Sequence, residues 1–276
     1  WSPVGTNPWN STNGGSNAAT FGSVATVTVS GAYANSVTFN NNVTLNGGTL
    51  TLSGTSPSLV VGSGFTATIN SVLSGASITK NGAGNLILSS ANSGWTGGLT
   101  INSGVVRLNN ALSAGTGPIS ISPTNNAIGT ALQIAGGFEL TNAITLQGNA
   151  AQLQGGINFG GQLQSVSGVN TLSGLLTLPY GAVISADVGS TLKIYGGVQN
   201  TVANNILRLV ANGTIVLGTT ALTVSAGTYG DSISGANGSL TKDTSGVLTL
   251  SGVSTFGAGA TLSAGTLHVG DDSALG

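Results

Sequence analysis

The segment Ser77–Leu108, SITKNGAGNLILSSANSGWTGGLTINSGVVRL, recurs later in the chain as Ser239–Val269, SLTKDTSGVLTLSGVSTFGAGATLSAGTLHV. Recurrence of a segment of this length indicates a chain built by structural repetition. The two copies agree first without a gap and then after the deletion of one residue. Apolar positions stay apolar and glycines stay glycine, which a shared backbone course requires.

The matched positions are mostly apolar residues and glycines, with one lysine and one threonine in each copy. In the first copy they are Ile78, Lys80, Gly84, Leu86, Leu88, Trp95, Thr100, Gly104, Val106 and Leu108, and in the second Leu240, Lys242, Gly246, Leu248, Leu250, Phe256, Thr261, Gly265, Leu267 and Val269. An active site would not need conserved apolar positions of this kind. We therefore interpret the repeat as structural.

The composition predicts an all-β protein. The chain has 276 residues with 46 glycines and 39% hydrophobic residues, which recur in short Val, Leu and Ile runs. Thr, Val and Ile suit a pleated, half-buried surface, and Gly with Asn suits tight turns. The hydrophobic content argues against disorder, and helical periodicity of useful length is missing.

Charge is scarce. Only five Lys or Arg and six Asp or Glu residues occur, and Lys80 is the first of them along the chain. A net charge of -1 provides no basic surface for nucleic acid or anionic membranes, and no apolar run has the roughly 20 residues of a spanning helix. With no Met and no Cys, the sequence is compatible with an exported protein whose leader has been removed.

Short strands separated by Gly, Asn or Ser turns follow one another along the whole chain. Their period and the recurring xLxLxG pattern favour a parallel solenoid with roughly 20 to 25 residues per coil. We expect one continuous solenoid domain over residues 1–276, with repeat copies at 77–108 and 239–276. Turn asparagines, including Asn40-Asn41-Asn42, are expected to pair their amides between coils.

The register follows from the alternation of side chains along a strand. Leu86, Leu88, Leu248 and Leu250 are predicted to point into the core. Their neighbours Ile87 and Thr249 are predicted to face outward.

Both copies resemble the autotransporter-associated β-strand repeat, also called the passenger-associated repeat, whose pattern is roughly G-x-L-x-K-x-G-x-G-x-L-x-L-x-G followed by an aromatic-G-x-T segment and A-L-G. The positions that match are Lys80, Gly82, Gly84, Leu86 and Leu88 in the first copy, and Gly238, Leu240, Lys242, Gly246, Leu248, Leu250, Gly252 and Ala274-Leu275-Gly276 in the second. Trp95 and Phe256 stand where the family usually has Tyr, and Thr244 replaces a family glycine. The resemblance implies an extracellular or cell-surface right-handed parallel β-helix with very little helix, and it brings no catalytic, cofactor-binding or metal-binding residues.

Several residues invite an enzymatic interpretation. Ser77-Ile78-Thr79-Lys80 spells the S-x-x-K of penicillin-binding enzymes and recurs as Ser239-Leu240-Thr241-Lys242. That motif works on a helix and needs S-D-N and K-T-G partners, which this chain lacks. The S-x-x-K spelling is therefore interpreted as a by-product of the repeat.

Metal-binding candidates are equally sparse. Lys242-Asp243 and Asp271-Asp272 are the close charge groupings, and the latter pair would need several further oxygens to bind Ca²⁺. His268, the sole histidine, is expected to face solvent at the repeat position of Arg107. We interpret these residues as surface residues, and we expect no cofactor.

Aromatic residues leave a binding function open. Stacking on sugar rings is compatible with Trp1, Trp9, Trp95, Tyr33, Tyr180, Tyr195 and Tyr229, but turn packing or coil capping explains them as well.

Four functions are compatible with such a solenoid. The preferred one is a non-enzymatic subunit that assembles head to tail into a bacterial surface fibre or filament, because residues 1–79 carry no charge and the chain stops at Ala274-Leu275-Gly276, where the resembling family would begin its next coil. The alternatives are a stalk or passenger segment of a larger adhesin and a carbohydrate-binding β-helix. A polysaccharide lyase or hydrolase is disfavoured because six scattered acids do not provide its carboxylate cluster.

Overall fold

The structure is a computed structural model that describes residues 17–123, 129–147, 161–180, 182–200, 206–217, 233–235, 239–242, 247–250, 255–256, 260–270 and 272–275. These residues form strands, turns and loops, and none of them is helical. They divide into two compact units, Trp1–Ser120 and Ile121–Gly276. The expectation of one domain over 1–276 stays a prediction.

The strands are short throughout, as the alternating sequence predicts. They are β1 (Ala18–Phe21), β2 (Ala25–Thr28), β3 (Ala32–Ala34), β4 (Ser36–Phe39), β5 (Val43–Asn46), β6 (Thr49–Leu52), β7 (Ser58–Val61), β8 (Thr66–Ile69), β9 (Val72–Gly75), β10 (Ile78–Asn81), β11 (Asn85–Leu88), β12 (Leu99–Ile101), β13 (Val105–Leu108), β14 (Ile119–Ile121), β15 (Ala131–Ala135), β16 (Glu139–Leu140), β17 (Ile144–Leu146), β18 (Leu163–Ser167), β19 (Val169–Leu172), β20 (Leu176–Leu178), β21 (Ala182–Ala186), β22 (Thr191–Ile194), β23 (Val198–Asn200), β24 (Ile206–Ala211), β25 (Thr214–Leu217), β26 (Ile233–Gly235), β27 (Ser239–Lys242), β28 (Val247–Leu250), β29 (Thr255–Phe256), β30 (Ala260–Leu262) and β31 (Thr266–Val269).

In the first unit, strands that pair are separated in sequence by strands of the other sheets. Sheet 1 has the order β1-β4-β7-β10-β12, sheet 2 has β2-β5-β8-β11-β13, and sheet 3 has β3-β6-β9. The pairs are parallel. Each of the first three coils thus gives one strand to each sheet in turn, and the next two coils give strands to sheets 1 and 2, which is the connectivity of a parallel β-solenoid.

The second unit has the same connectivity. Its sheets have the orders β17-β20-β23-β26-β29, β15-β18-β21-β24-β27-β30 and β16-β19-β22-β25-β28-β31, again with parallel pairing. The predicted all-β parallel solenoid is confirmed.

Alternating burial places the core inside the coils. Leu86 is fully buried, and its partners in the adjacent coils are the buried Ala67 and Val106. Ile87 is only half-buried and lies between Thr68 and Arg107 on the outer face of sheet 2. The same alternation holds for the second copy, where Leu248 and Leu250 are buried and Thr249 is half-buried. The predicted register is confirmed.

Each repeat copy spans parts of two successive coils. In the first copy β10 pairs with β12 and β11 with β13, with Lys80 opposite Ile101. In the second copy β27 pairs with β30 and β28 with β31, with Lys242 opposite Leu262. Because the registers are equivalent, the sequence repeat is a structural repeat.

Sheet 3 of the first unit does not continue into the first repeat copy. Sheet 3 ends at β9, and in the next coil Asn92 replaces part of the strand ladder with its side chain. Its Oδ1 accepts from the Leu73 N–H at 2.7 Å, and its Nδ2 donates to the Ser113 carbonyl at 2.7 Å. A buried amide therefore connects three successive coils at this corner.

Turn asparagines also pair between coils, as predicted. Asn70 Nδ2 donates to Asn46 Oδ1 at 2.8 Å, and Asn102 Nδ2 donates to Asn81 Oδ1 at 3.1 Å. Asn42 instead accepts from the Thr66 backbone N–H at 2.8 Å. Uncharged amides thus satisfy polar groups at the coil corners.

Candidate functional site: the Lys80 turn

The serine and lysine of the S-x-x-K tetrapeptide have different environments and different partners. Ser77 is exposed, and its Oγ accepts a hydrogen bond from the Gly98 N–H at 3.2 Å. Lys80 is fully buried and donates to backbone carbonyls. The tetrapeptide enters a strand, so the helical spacing that joins a serine to its activating lysine is not formed.

Lys80 occupies a core position of β10. Ile78 and Lys80 are buried in this strand, whereas Thr79 and Asn81 are half-buried. The ladder partners of Lys80 in the adjacent coils are the buried aliphatic residues Leu59 and Ile101. The aliphatic stem of Lys80 therefore continues a column of hydrophobic side chains.

The ammonium group of Lys80 lies in a cage of three backbone carbonyl oxygens. Nζ donates to Asn81 O at 3.0 Å, to Gly82 O at 2.7 Å and to Ser103 O at 2.9 Å. The first two oxygens belong to the last residue of β10 and to the turn after it, and the third belongs to the turn after β12 in the next coil. An ammonium has three N–H donors, and the cage uses all three.

Gly82 gives the cage its shape. Its φ is +77°, a left-handed conformation that L side chains rarely adopt, and a Cβ there would lie 2.2 Å from the Val61 carbonyl oxygen. Glycine lets the turn approach the preceding coil closely and aim its carbonyl at the ammonium.

Burial lowers the pKa of Lys80 from 10.5 to about 7, because the charged form loses its hydration. The three carbonyls act in the opposite direction, since only the ammonium form has a proton for each of them. Residues 1–120 contain no Asp or Glu. Below about pH 7 the ammonium is therefore held by carbonyl dipoles, without help from a carboxylate of this unit.

Lys80 was interpreted from the sequence as a matched position of the repeat and as part of a false catalytic motif, and the burial of its side chain was missed. The available signal was its phase, because Lys80 stands two residues from the core residue Ile78 on the same face of an alternating strand. Lys242 recurs at the same phase. The side chain of Lys242 lies outside the described part of the structure.

The candidate aromatic residues that the structure describes differ in burial. Trp95 is fully buried and donates from Nε1 to the Ala76 carbonyl at 3.0 Å, so the hypothesis that it stacks on a sugar is wrong. Tyr180 is 52% exposed, and Tyr33 and Tyr195 are half-buried. Lys193 Nζ lies 5.9 Å from the centroid of the Tyr195 ring. Trp1, Trp9 and Tyr229 lie outside the described residues.

The candidate metal ligands are scattered. His268 is exposed and pairs with Thr249 in the ladder, and Asp272 is exposed in a turn, whereas Asp243 and Asp271 lie outside the described residues. Where the structure describes the chain, it contains no group of three His, Cys, Asp or Glu residues that could hold a metal ion.

Comparisons with known proteins identify the repeat. The passenger-associated-transport-repeat family matches residues 78–108 and 240–269. Over 166 residues, 56% of this chain, the sequence is 36% identical to the adhesin BmaC autotransporter of Brucella suis biovar 1 (strain 1330). That alignment spans 5% of the adhesin. No solved structure matches the chain significantly, and the described residues include no helix with the length and hydropathy to cross a membrane.

Proposed function

Because two segments of this chain are passenger-associated-transport repeats, we propose that it is a non-enzymatic stalk segment in the passenger region of a larger autotransporter-like adhesin. The similarity supports an extracellular or cell-surface location. The observation that carries the proposal is that each repeat copy places strands of two successive coils on each other in equivalent register. Such a unit extends a solenoid without needing any reactive group.

The lateral surface of the first unit supports a spacer role. One outward row of sheet 2 consists of Thr44, Thr68, Ile87 and Arg107 in successive coils. Arg107 and the buried Lys80 are the charged residues of sequence 1–120. A nearly neutral surface of hydroxyl, amide and aliphatic groups offers little for electrostatic recognition of a charged partner.

The arrangement of reactive side chains supports the non-enzymatic part of the proposal. Ser77 and Lys80 have separate partners, and the Lys80 amine is enclosed by carbonyl oxygens. General acid–base or nucleophilic catalysis requires such groups to lie within hydrogen-bond reach of each other and of a substrate. A burial-lowered pKa alone does not supply that geometry.

A deletion of one whole coil tests the stalk function. Ser36 pairs with Ser58, so removal of residues 36–57 places β7 on β1 in the original register. Removal of residues 36–46 deletes about half of that coil and is the matched control that breaks the register. Both deletions are made in the full-length adhesin displayed on cells.

For a stalk segment, we expect the whole-coil deletion to keep surface display, protease resistance and adhesion to a cultured cell monolayer. The control is expected to lose protease resistance in this segment. Loss of adhesion after the whole-coil deletion, with display unchanged, would mean that the segment contacts the receptor itself and would overturn the proposal. A glycan array with residues 1–276 then tests whether that receptor is a carbohydrate.

Head-to-tail assembly into a filament, expected from the sequence, stays a prediction. Sedimentation velocity on residues 1–276 is the direct measurement. Growth of the sedimenting species with concentration would favour the fibre, and one monomeric species at the highest concentration would contradict it.

A further inference from the structure

We infer that the turn around Lys80 is a binding site for a primary ammonium group, which the chain fills with its own side chain to clamp two successive coils together. The cage oxygens come from both coils, Asn81 O and Gly82 O from one and Ser103 O from the next. An ammonium that binds all three holds the two turns at a fixed separation.

The donor geometry selects a primary ammonium. Three carbonyl oxygens lie within 3.0 Å of one nitrogen, and an ammonium presents three rotatable N–H groups on one compact charge. A hydroxyl has one donor and a quaternary ammonium has none. The planar guanidinium of arginine spreads its donors over a fork that does not converge on a single point.

The stem of Lys80 determines which free ligand the cage would accept. Substitution of Lys80 by alanine keeps Cβ and removes three methylene carbons and the amine, a space that matches 1-propylammonium in length. The side chain is fully buried between Leu59 and Ile101, so the vacated space has apolar walls and a polar end. An unfilled cage leaves carbonyl oxygens without these donors, which destabilises a buried site.

The second repeat places the same residue type at the same register. Lys242 lies opposite Leu262, as Lys80 lies opposite Ile101. We therefore expect the clamp to be a property of the repeat and to operate at Lys242 as well.

Chemical rescue of Lys80→Ala at pH 6, where alkylamines are protonated, tests the inference. We expect the urea midpoint of Lys80→Ala to lie below that of the parent and to recover most of the difference in a saturable way with 1-propylammonium chloride. Equal concentrations of tetramethylammonium chloride, which lacks N–H donors, and of 1-propanol should not reproduce the recovery. Lys80→Met, which fills the space without donors, should not respond to propylammonium.

Two results would overturn the inference: a midpoint of Lys80→Ala equal to that of the parent, or an equal response to propylammonium and tetramethylammonium. If Lys80→Ala does not fold, nitrogen-15 NMR of the parent decides instead. The Lys80 ammonium protons should exchange with water more slowly than those of Lys193, and equal exchange rates would refute the clamp.

Discussion

Truncation of Leu86 tests the solenoid register quantitatively. Leu86 is fully buried and lies between Ala67 and Val106 in the ladder. Leu86→Ala removes three carbon atoms, which corresponds to about 2.4 kcal/mol of lost transfer free energy at about 0.8 kcal/mol for each. The strands on both sides are held by backbone hydrogen bonds, and Ala67 is too small to fill the space. We therefore add a cavity term and expect a total loss of about 3 to 4 kcal/mol in the free energy of unfolding.

Ile87→Ala is the matched control, because it alters the next residue of the same strand on the outer face. Ile87 is half-buried, so its truncation should cost about 1 kcal/mol. Urea unfolding followed by circular dichroism measures both values. A loss for Ile87→Ala equal to or larger than that for Leu86→Ala would refute the register and with it the inward direction of the repeat's leucines.

Other predictions concern the polar groups inside the coils. Burial lowers the pKa of Lys80 to about 7, so between about pH 7 and 10.5 the unfolded chain keeps a proton that the folded chain has released. In this range the free energy of unfolding of the parent should therefore rise with pH relative to that of Lys80→Met. If the difference in unfolding free energy between the two proteins does not change with pH, the carbonyls retain the ammonium. Asn170 donates to Ser165 Oγ and accepts from the Gly137 N–H, so Asn170→Ala should lower the free energy of unfolding by about 2 kcal/mol. Thr171→Ala, on the outer face of the same strand, should lower it much less in the same urea titration. Gly82→Ala should cost about 2 kcal/mol or more, because of its positive φ and the Val61 carbonyl, whereas Gly94→Ala, with nothing within 4 Å of the added Cβ, should leave the thermal midpoint almost unchanged.

The fold was predictable because it follows from local alternation. Leu86 and Leu88 lie two residues apart in a strand bounded by glycine and serine, and a period of two assigns them to one face without knowledge of their partners. The repeat then fixes the same phase for Leu248 and Leu250. Turn asparagines were predictable for a similar reason, since equivalent positions in successive coils bring like side chains together.

The Lys80 cage was not predictable, because its oxygens come from two different coils. The identity of residue 103 as serine does not reveal that its backbone carbonyl accepts a hydrogen bond from Lys80. Lysine is ordinarily assigned to the surface. Asn92 was missed for the same kind of reason. In sequence it indicates a turn, and only the neighbouring coils show that its amide replaces part of a strand ladder.

The stacking of coils also determines how the segment responds to tension. Asn81 and Asn102, which pair across adjacent coils, are 21 residues apart, and that length of chain measures about 70 Å when fully extended. A folded coil advances the stack by only about 5 Å. When the two ends of a stack are pulled apart, each coil that unfolds would lengthen the chain by about 65 Å while the neighbouring coils stay folded. The segment would then lengthen under tension in discrete steps, and the Lys80 clamp would set the force at which one of those steps occurs.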